Sequence, residues 1–284
     1  MSVRTRPVSK EHQNWVRDFI REQCYSILTY KNIQENYTMK TYQIIIVAFA
    51  LVACNQTAFA QFTIDLEGGI AVTGYNDIRI PGDAGTFIKL PDELSSDPFP
   101  FGRARLSYTF KERNTIMVLF APLRVSYDGT INKDVNYQNT IFPAGTPIDA
   151  TYKFNSYRIT YRYRVLKRES INLGLGLTVK VRDAFIRLEG GGLRGIKNDL
   201  GFVPLINFRF DWQLNPRFYL LLDGDALAAP QGRAEDVLLA IGYALNERFD
   251  IFAGYRILEG GADNDEVYTF SLFHYGVLGV RIHL

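Results

Sequence analysis

The chain is poor in cysteine, histidine and tryptophan, and it has no long apolar run. Of its 284 residues, two are Cys, three are His and two are Trp. Both cysteines, Cys24 and Cys54, come before Gln61. From Gln61 onward no disulfide is possible, so closure of the backbone and packing must hold that part together. No stretch reaches the ~18 apolar residues of a spanning helix, which excludes a helical membrane protein. Neither sign of charge dominates. From Gln61 to Leu284 there are 25 Lys+Arg and 26 Asp+Glu, a net charge of −1. Such a balance gives no reason to expect a nucleic-acid partner. Only His274 and His283 remain after Gln61, so histidine chemistry has few places to sit.

What is present begins with an export pattern. Met39 and Lys40 open a segment with an apolar run from Ile44 to Ala53 and small residues at Ala58 and Ala60. This reads as a secretory signal over 39–60, cleaved between Ala60 and Gln61. Leu51-Val52-Ala53-Cys54 offers the alternative of a lipoprotein signal that would acylate Cys54. Residues 1–38 precede the signal, and the reading is that translation starts at Met39 and this leader is a start-site error. The alternative is a cytoplasmic extension with an amphipathic helix around Trp15 to Ile27. The remaining 61–284 suits one domain.

From Gln61 the chain alternates apolar and polar residues in ten stretches. The fifth is cleanest: Ile171, Leu173, Leu175, Leu177, Val179 and Val181 oppose Asn172, Gly174, Gly176, Thr178, Lys180 and Arg182. Period two places the two sets on opposite faces of a strand. The fourth opposes Tyr157, Ile159, Tyr161, Tyr163 and Val165 to Arg158, Arg162 and Arg164. Similar patterns start at Phe62, Arg103, Ile206 and Phe218. The third, eighth and ninth stretches, beginning at Thr115, Val237 and Phe249, alternate less cleanly.

The connections alternate in length. Short turns read KERN (Lys111 to Asn114), KRES (Lys167 to Ser170), LNPR (Leu214 to Arg217) and LNER (Leu245 to Arg248). Longer connections at about 76–97, 128–151, 188–199, 228–235 and 259–266 lie between them. An even number of strands, short turns at one end and long loops at the other predict an all-β, ten-stranded antiparallel transmembrane barrel. Its turns would be periplasmic and its loops extracellular. Phe110, Tyr163, Trp212, Phe218, Tyr243 and Phe249 lie beside the short turns. Tyr75, Phe101, Tyr127, Tyr255 and Phe270 lie near the long loops. Together they suggest two aromatic girdles. Pro122 and Pro204 interrupt strands, and a bulge near the rim would accommodate each.

The signal, the alternation and a last strand ending GVLGVRIHL resemble small single-chain bacterial outer-membrane β-barrel proteins. Tyr152 to Arg164 and Gly254 to Arg281 are similar to segments of a family of predicted barrels to which no activity is attached. The usual aromatic C-terminal residue is replaced by Leu284. The resemblance implies a monomer in the bacterial outer membrane, without a cofactor. Its contacts would be membrane lipid, lipopolysaccharide and the export and barrel-assembly machinery.

The polar faces carry the candidate site residues. Arg103, Arg105, Arg124, Arg158, Arg162, Arg164, Lys180, Arg182, Arg209, Arg256 and Arg281 are the bases assigned to the interior. Asp65, Glu67, Asp211, Asp223, Asp225 and Asp250 are the acids. About eight strands give an interior that side chains just fill and about sixteen leave a channel, so ten lies near the filled end. A lumen of paired charges is therefore expected ahead of a narrow anion-leaning pore. The function expected is structural, or passive exchange of small solutes, with loops 76–97 and 128–151 free for contacts. The alternative is a lipid-modifying or proteolytic barrel enzyme using His274. Ser271, three residues earlier, would point to the opposite face and could not pair with it. The acids Asp263, Asp265 and Glu266 lack the spacing of a calcium loop, so no metal site is expected. The Gly190-Gly191-Gly192 run lacks a following helix and is read as a flexible loop.

Overall fold

The computed structural model describes residues 61–284 apart from Gln231. The leader 1–38, the signal 39–60, Cys54 and Ala60 lie outside the described residues.

Ten strands make the wall. β1 spans Gln61–Arg79 and β2 Phe99–Phe110. β3 has two pieces, Asn114–Ala121 and Arg124–Thr130. β4 is Pro147–Lys167, β5 Ile171–Gly190 and β6 Leu193–Gln213. β7 is Phe218–Ala229, β8 Gly232–Ala244, β9 Phe249–Asp263 and β10 Tyr268–His283. Each pairs with the next, and β10 pairs antiparallel with β1 from Thr63↔His283 to Arg79↔Tyr268. The sheet is therefore a closed ten-stranded antiparallel barrel. Closure removes free edges around the waist.

The alternation acts as expected along the waist. Leu66, Ile70, Ile159, Leu177, Val179, Leu239 and Leu278 point outward and are exposed, while the polar residues between them turn in. The short-turn end is built tightly. Lys111 and Glu112 have left-handed φ of 48° and 58° within the three-residue turn that follows the last β2–β3 pair, Phe110↔Asn114.

The other end departs from the expected loop boundaries. Three of its five connections are hairpins in which the strands continue. β5 and β6 stay paired up to Gly190↔Leu193 around Gly191 and Gly192, with φ of 59° and 79°. β7 and β8 pair to Ala229↔Gly232, and β9 and β10 to Asp263↔Tyr268. Beyond the apolar band both faces of a hairpin can be polar, so the period-two signal fades although the ladder continues. The Gly190–Gly192 run is a tight turn in this ladder.

The two long excursions fold together. From 80 to 98 the chain adds a short strand, Ile88–Lys89, to β1 and then a helical turn α1, Leu90–Glu93. From 131 to 146 it forms a hairpin of Val135–Tyr137 and Thr140–Phe142. Backbone bonds join the excursions: Thr86 N donates to Asn136 O at 2.9 Å and Gln138 N to Ile80 O at 3.0 Å. Ile80, Ile88, Leu90, Val135, Tyr137 and Phe142 are buried in the resulting cap. It continues the apolar core formed by Ile78, Val125, Tyr127, Ile148 and Leu188.

Pro122 separates the two pieces of β3 without a bulge and without a change of parity. Met117 and Leu119 before it and Val125 and Tyr127 after it all face inward, and the register with β4 runs on from Ala121↔Ser156 to Arg124↔Lys153. Ala121 and Leu123 both face inward and are buried. Arg124 shares the outward face of Ile116, Val118 and Phe120 and is exposed, correcting its assignment to the interior. Tyr127 turns inward on the same face as Leu123 and Val125. Phe101 also faces inward, edge-on to Tyr275 at 4.8 Å. Neither belongs to an outer aromatic girdle. Pro204 needs no bulge: it lies two residues beyond the last β6–β7 pair, Ile206↔Ala226, where β6 has an edge.

Candidate functional site

The interior at the waist is a web of ion pairs, brought together because every strand sends its polar face inward. Asp236, on β8, is its centre. Its carboxylate accepts from Arg103 at 2.9 Å, Arg158 at 2.6 Å and Arg256 at 2.5 Å. Glu67 on β1 accepts two bonds from Arg256, at 2.7 and 2.8 Å. Asp225 accepts from Arg158 at 2.7 Å, from Thr178 at 2.6 Å and from the Asn207 amide at 2.9 Å. These side chains are almost wholly buried; Arg256 keeps 1% of its surface. Buried charges are tolerable only when paired in this way, since an unpaired one carries the full cost of leaving water.

A second cluster lies toward the short-turn end. Asp223 accepts from Arg105 at 2.8 Å and Arg162 at 3.1 Å, with Arg209 at 3.6 Å. Arg209 also bonds Asp211 at 2.7 Å, and Arg281 bonds Asp65 at 2.6 Å. Below it a water-accessible vestibule of about 270 Å³ opens, lined in part by Arg164, Asp250 and His283. His283 Nε2 lies 3.1 Å from Asp250, which also accepts from Tyr219 at 3.3 Å.

Other sequence-assigned residues stand apart from these clusters. Arg182 pairs with Asp199 higher in the wall. Lys180 is 3% exposed and sits over the Phe154 ring at 5.2 Å. His274 faces outward, its Nδ1 2.5 Å from Tyr255 Oη. Ser271 turns inward and bonds Tyr152 at 3.0 Å. The two do not meet. Asp263 and Asp265 lie at the β9–β10 tip, and Glu266 there pairs with Lys197 at 3.1 Å. No group of acids, His or Cys suited to a metal occurs among the described residues.

A closed ten-strand wall with apolar residues outside and paired charges inside decides the architecture. The fold is that of a bacterial outer-membrane β-barrel. It is similar to the crystal structure of the outer membrane protease OmpT from Escherichia coli. That match has a TM-score of 0.50 and 10% identity, and it covers 81% of this chain and 99% of that one. Ail, the attachment invasion locus protein of Yersinia pestis, matches with a TM-score of 0.35 and 13% identity, over 80% and 99% of the two chains. No protein-family model and no curated protein matches the sequence.

Asp236 is the site residue that sequence reasoning missed. Leu238 and Ala240, which share its inward face, are apolar and buried, so β8 shows no alternation. Counting back by twos from the outward Ile241 and Leu239 places Val237 outside and Asp236 inside; that was the available signal.

Outside the membrane-spanning band, two groups have clear electrostatic environments. Burial in the cap pushes the Tyr137 phenol up, and its hydroxyl donates to Ile186 O at 2.9 Å. At the short-turn end the hydrogen bond from Lys167, 2.6 Å, holds the Glu112 carboxyl below its ordinary range.

Proposed function

We propose that this is an integral protein of the bacterial outer membrane with a filled lumen, serving a structural role rather than solute exchange. The observation that supports it best is the Asp236 centre. Three guanidiniums from β2, β4 and β9 converge on one carboxylate across the bore. The apolar cap lies above, so a solute entering from outside would have to displace both layers. Liposome swelling tests this. Vesicles containing the folded barrel should swell in small sugars no faster than protein-free vesicles, and rapid swelling would favour the solute-exchange role.

On this reading the chain acts as a monomer without a cofactor, and it contacts membrane lipid, lipopolysaccharide and the export and assembly machinery. The cap, with Ile141 and Phe87 on its exposed side, is the surface available to outside partners. Export would use the signal at 39–60. Mass spectrometry of the mature protein should find Gln61 at its N-terminus; an acylated Cys54 there would establish the lipoprotein alternative. The proteolytic activity named for OmpT is not carried over, because His274 is held by Tyr255 on the outer surface, away from Ser271.

A further inference from the structure

The barrel wall has a side opening. β6 pairs with β5 along its whole length, from Leu193 to Trp212. Its ladder with β7 stops at Ile206↔Ala226. Above that point β7 turns into β8, while β6 continues upward and reaches the β9–β10 tip through Lys197 and Glu266. A window is left between β6, the end of the β7–β8 hairpin and the β9–β10 hairpin. Pro204, which has no N–H to donate, stands at its edge. Outside the window Leu200 and Phe202 are 71% and 74% exposed.

Two adjoining cavities of about 400 and 300 Å³ lie behind it, sharing Tyr152, Phe154, Arg182 and Thr269. The first is lined at its mouth by Phe202, Pro204 and Leu227. Its floor holds Lys180. That residue is 97% buried by subtraction from its 3% exposure, and it contacts the face of Phe154. Among the described residues no carboxylate lies within 4.0 Å of its Nζ and none accepts a hydrogen bond from it. The Nε of neighbouring Arg182 is buried without a hydrogen-bond partner, while its Nη2 pairs with Asp199. Elsewhere in this interior arginine after arginine has its acid. A buried ammonium left open beside a cavity is the complement of an anion.

We propose that the window admits a single-chain anionic amphiphile with a carboxylate head, like that of a fatty acid. The head would reach Lys180 and the Arg182 Nε, and the chain would lie past Phe202 and Leu227 toward the surrounding lipid. The combined cavity is of the size that holds a small amphiphile, apolar at the mouth with a few polar groups at the end. The inference takes the membrane position of the barrel from the reading above, but it does not depend on whether the lumen conducts.

The test uses the barrel folded in a neutral sugar detergent, with heat-modifiable gel migration as a separate report of folding. A fluorescent polyene fatty acid and its methyl ester are titrated in turn. The acid should bind saturably and the ester about tenfold more weakly, since only the acid meets the ammonium. Lys180→Met should reduce the acid to the level of the ester, and Lys180→Arg should keep the preference. Leu227→Trp, which leaves the charge in place and fills the mouth, should weaken the acid about tenfold. It carries the test if Lys180→Met does not fold. Equal binding of acid and ester, or an unchanged acid affinity in Leu227→Trp, would overturn the proposal. Displacement of the acid by inorganic phosphate would also overturn it, because the site would then serve a free anion.

Discussion

Asp236 accepts from three guanidiniums, and its removal leaves more positive charge than the remaining acids can satisfy. Glu67 and Asp225 are already engaged with Arg256 and Arg158. Breaking a buried pair by removing one partner costs about 3–5 kcal/mol. Asp236→Asn should lower the unfolding free energy of the detergent-folded barrel by about that amount, read from urea titration. Lys153 and Asp183 form a pair at 2.7 Å that is partly solvated, and Asp183→Asn should cost no more than about 1 kcal/mol. Equal effects of the two substitutions would mean that the interior pairs are solvated too. Most of this web was legible from parity alone, because Arg103, Arg158, Asp223 and Asp225 stand in alternating stretches. Asp236 escaped because its strand is apolar on both faces. Arg124 was misplaced because the third stretch is apolar on both faces and hides its parity; counted by twos from the outward Ile116, Val118 and Phe120, it falls outside.

At the level of elements, the two ends of the barrel obey different rules. The short turns are constrained by geometry. Lys111 and Glu112 take left-handed φ values that L-residues with a Cβ adopt at a cost, and that Asn and Gly adopt readily. The double substitution Lys111→Asn and Glu112→Gly should therefore raise the urea midpoint and leave the gel migration of the folded form unchanged. A lower midpoint would show that the Lys167–Glu112 contact outweighs the backbone strain. The opposite end is constrained by pairing beyond the membrane. There the sequence loses its alternation, and 188–199 looks like a loop although it is ladder throughout. The extent of each pairing was not legible at all: nothing in the pattern of β6 says that its partnership with β7 ends at Ile206. That property belongs to three hairpins of unequal height, and the side opening follows from it.

For the whole molecule, three layers follow one another along the bore: an apolar cap, a belt of ion pairs and an open vestibule. Strand number sets the width, and ten strands leave a bore that arginine side chains can span. The same chain therefore uses polar alternation for two purposes, turning apolar residues to lipid and filling the space they enclose. The direct measurement is single-channel conductance of the folded 61–284 barrel in a planar bilayer. A filled lumen predicts a current indistinguishable from the bare bilayer at moderate voltage. Stable, discrete conductance steps from the wild-type protein would contradict it.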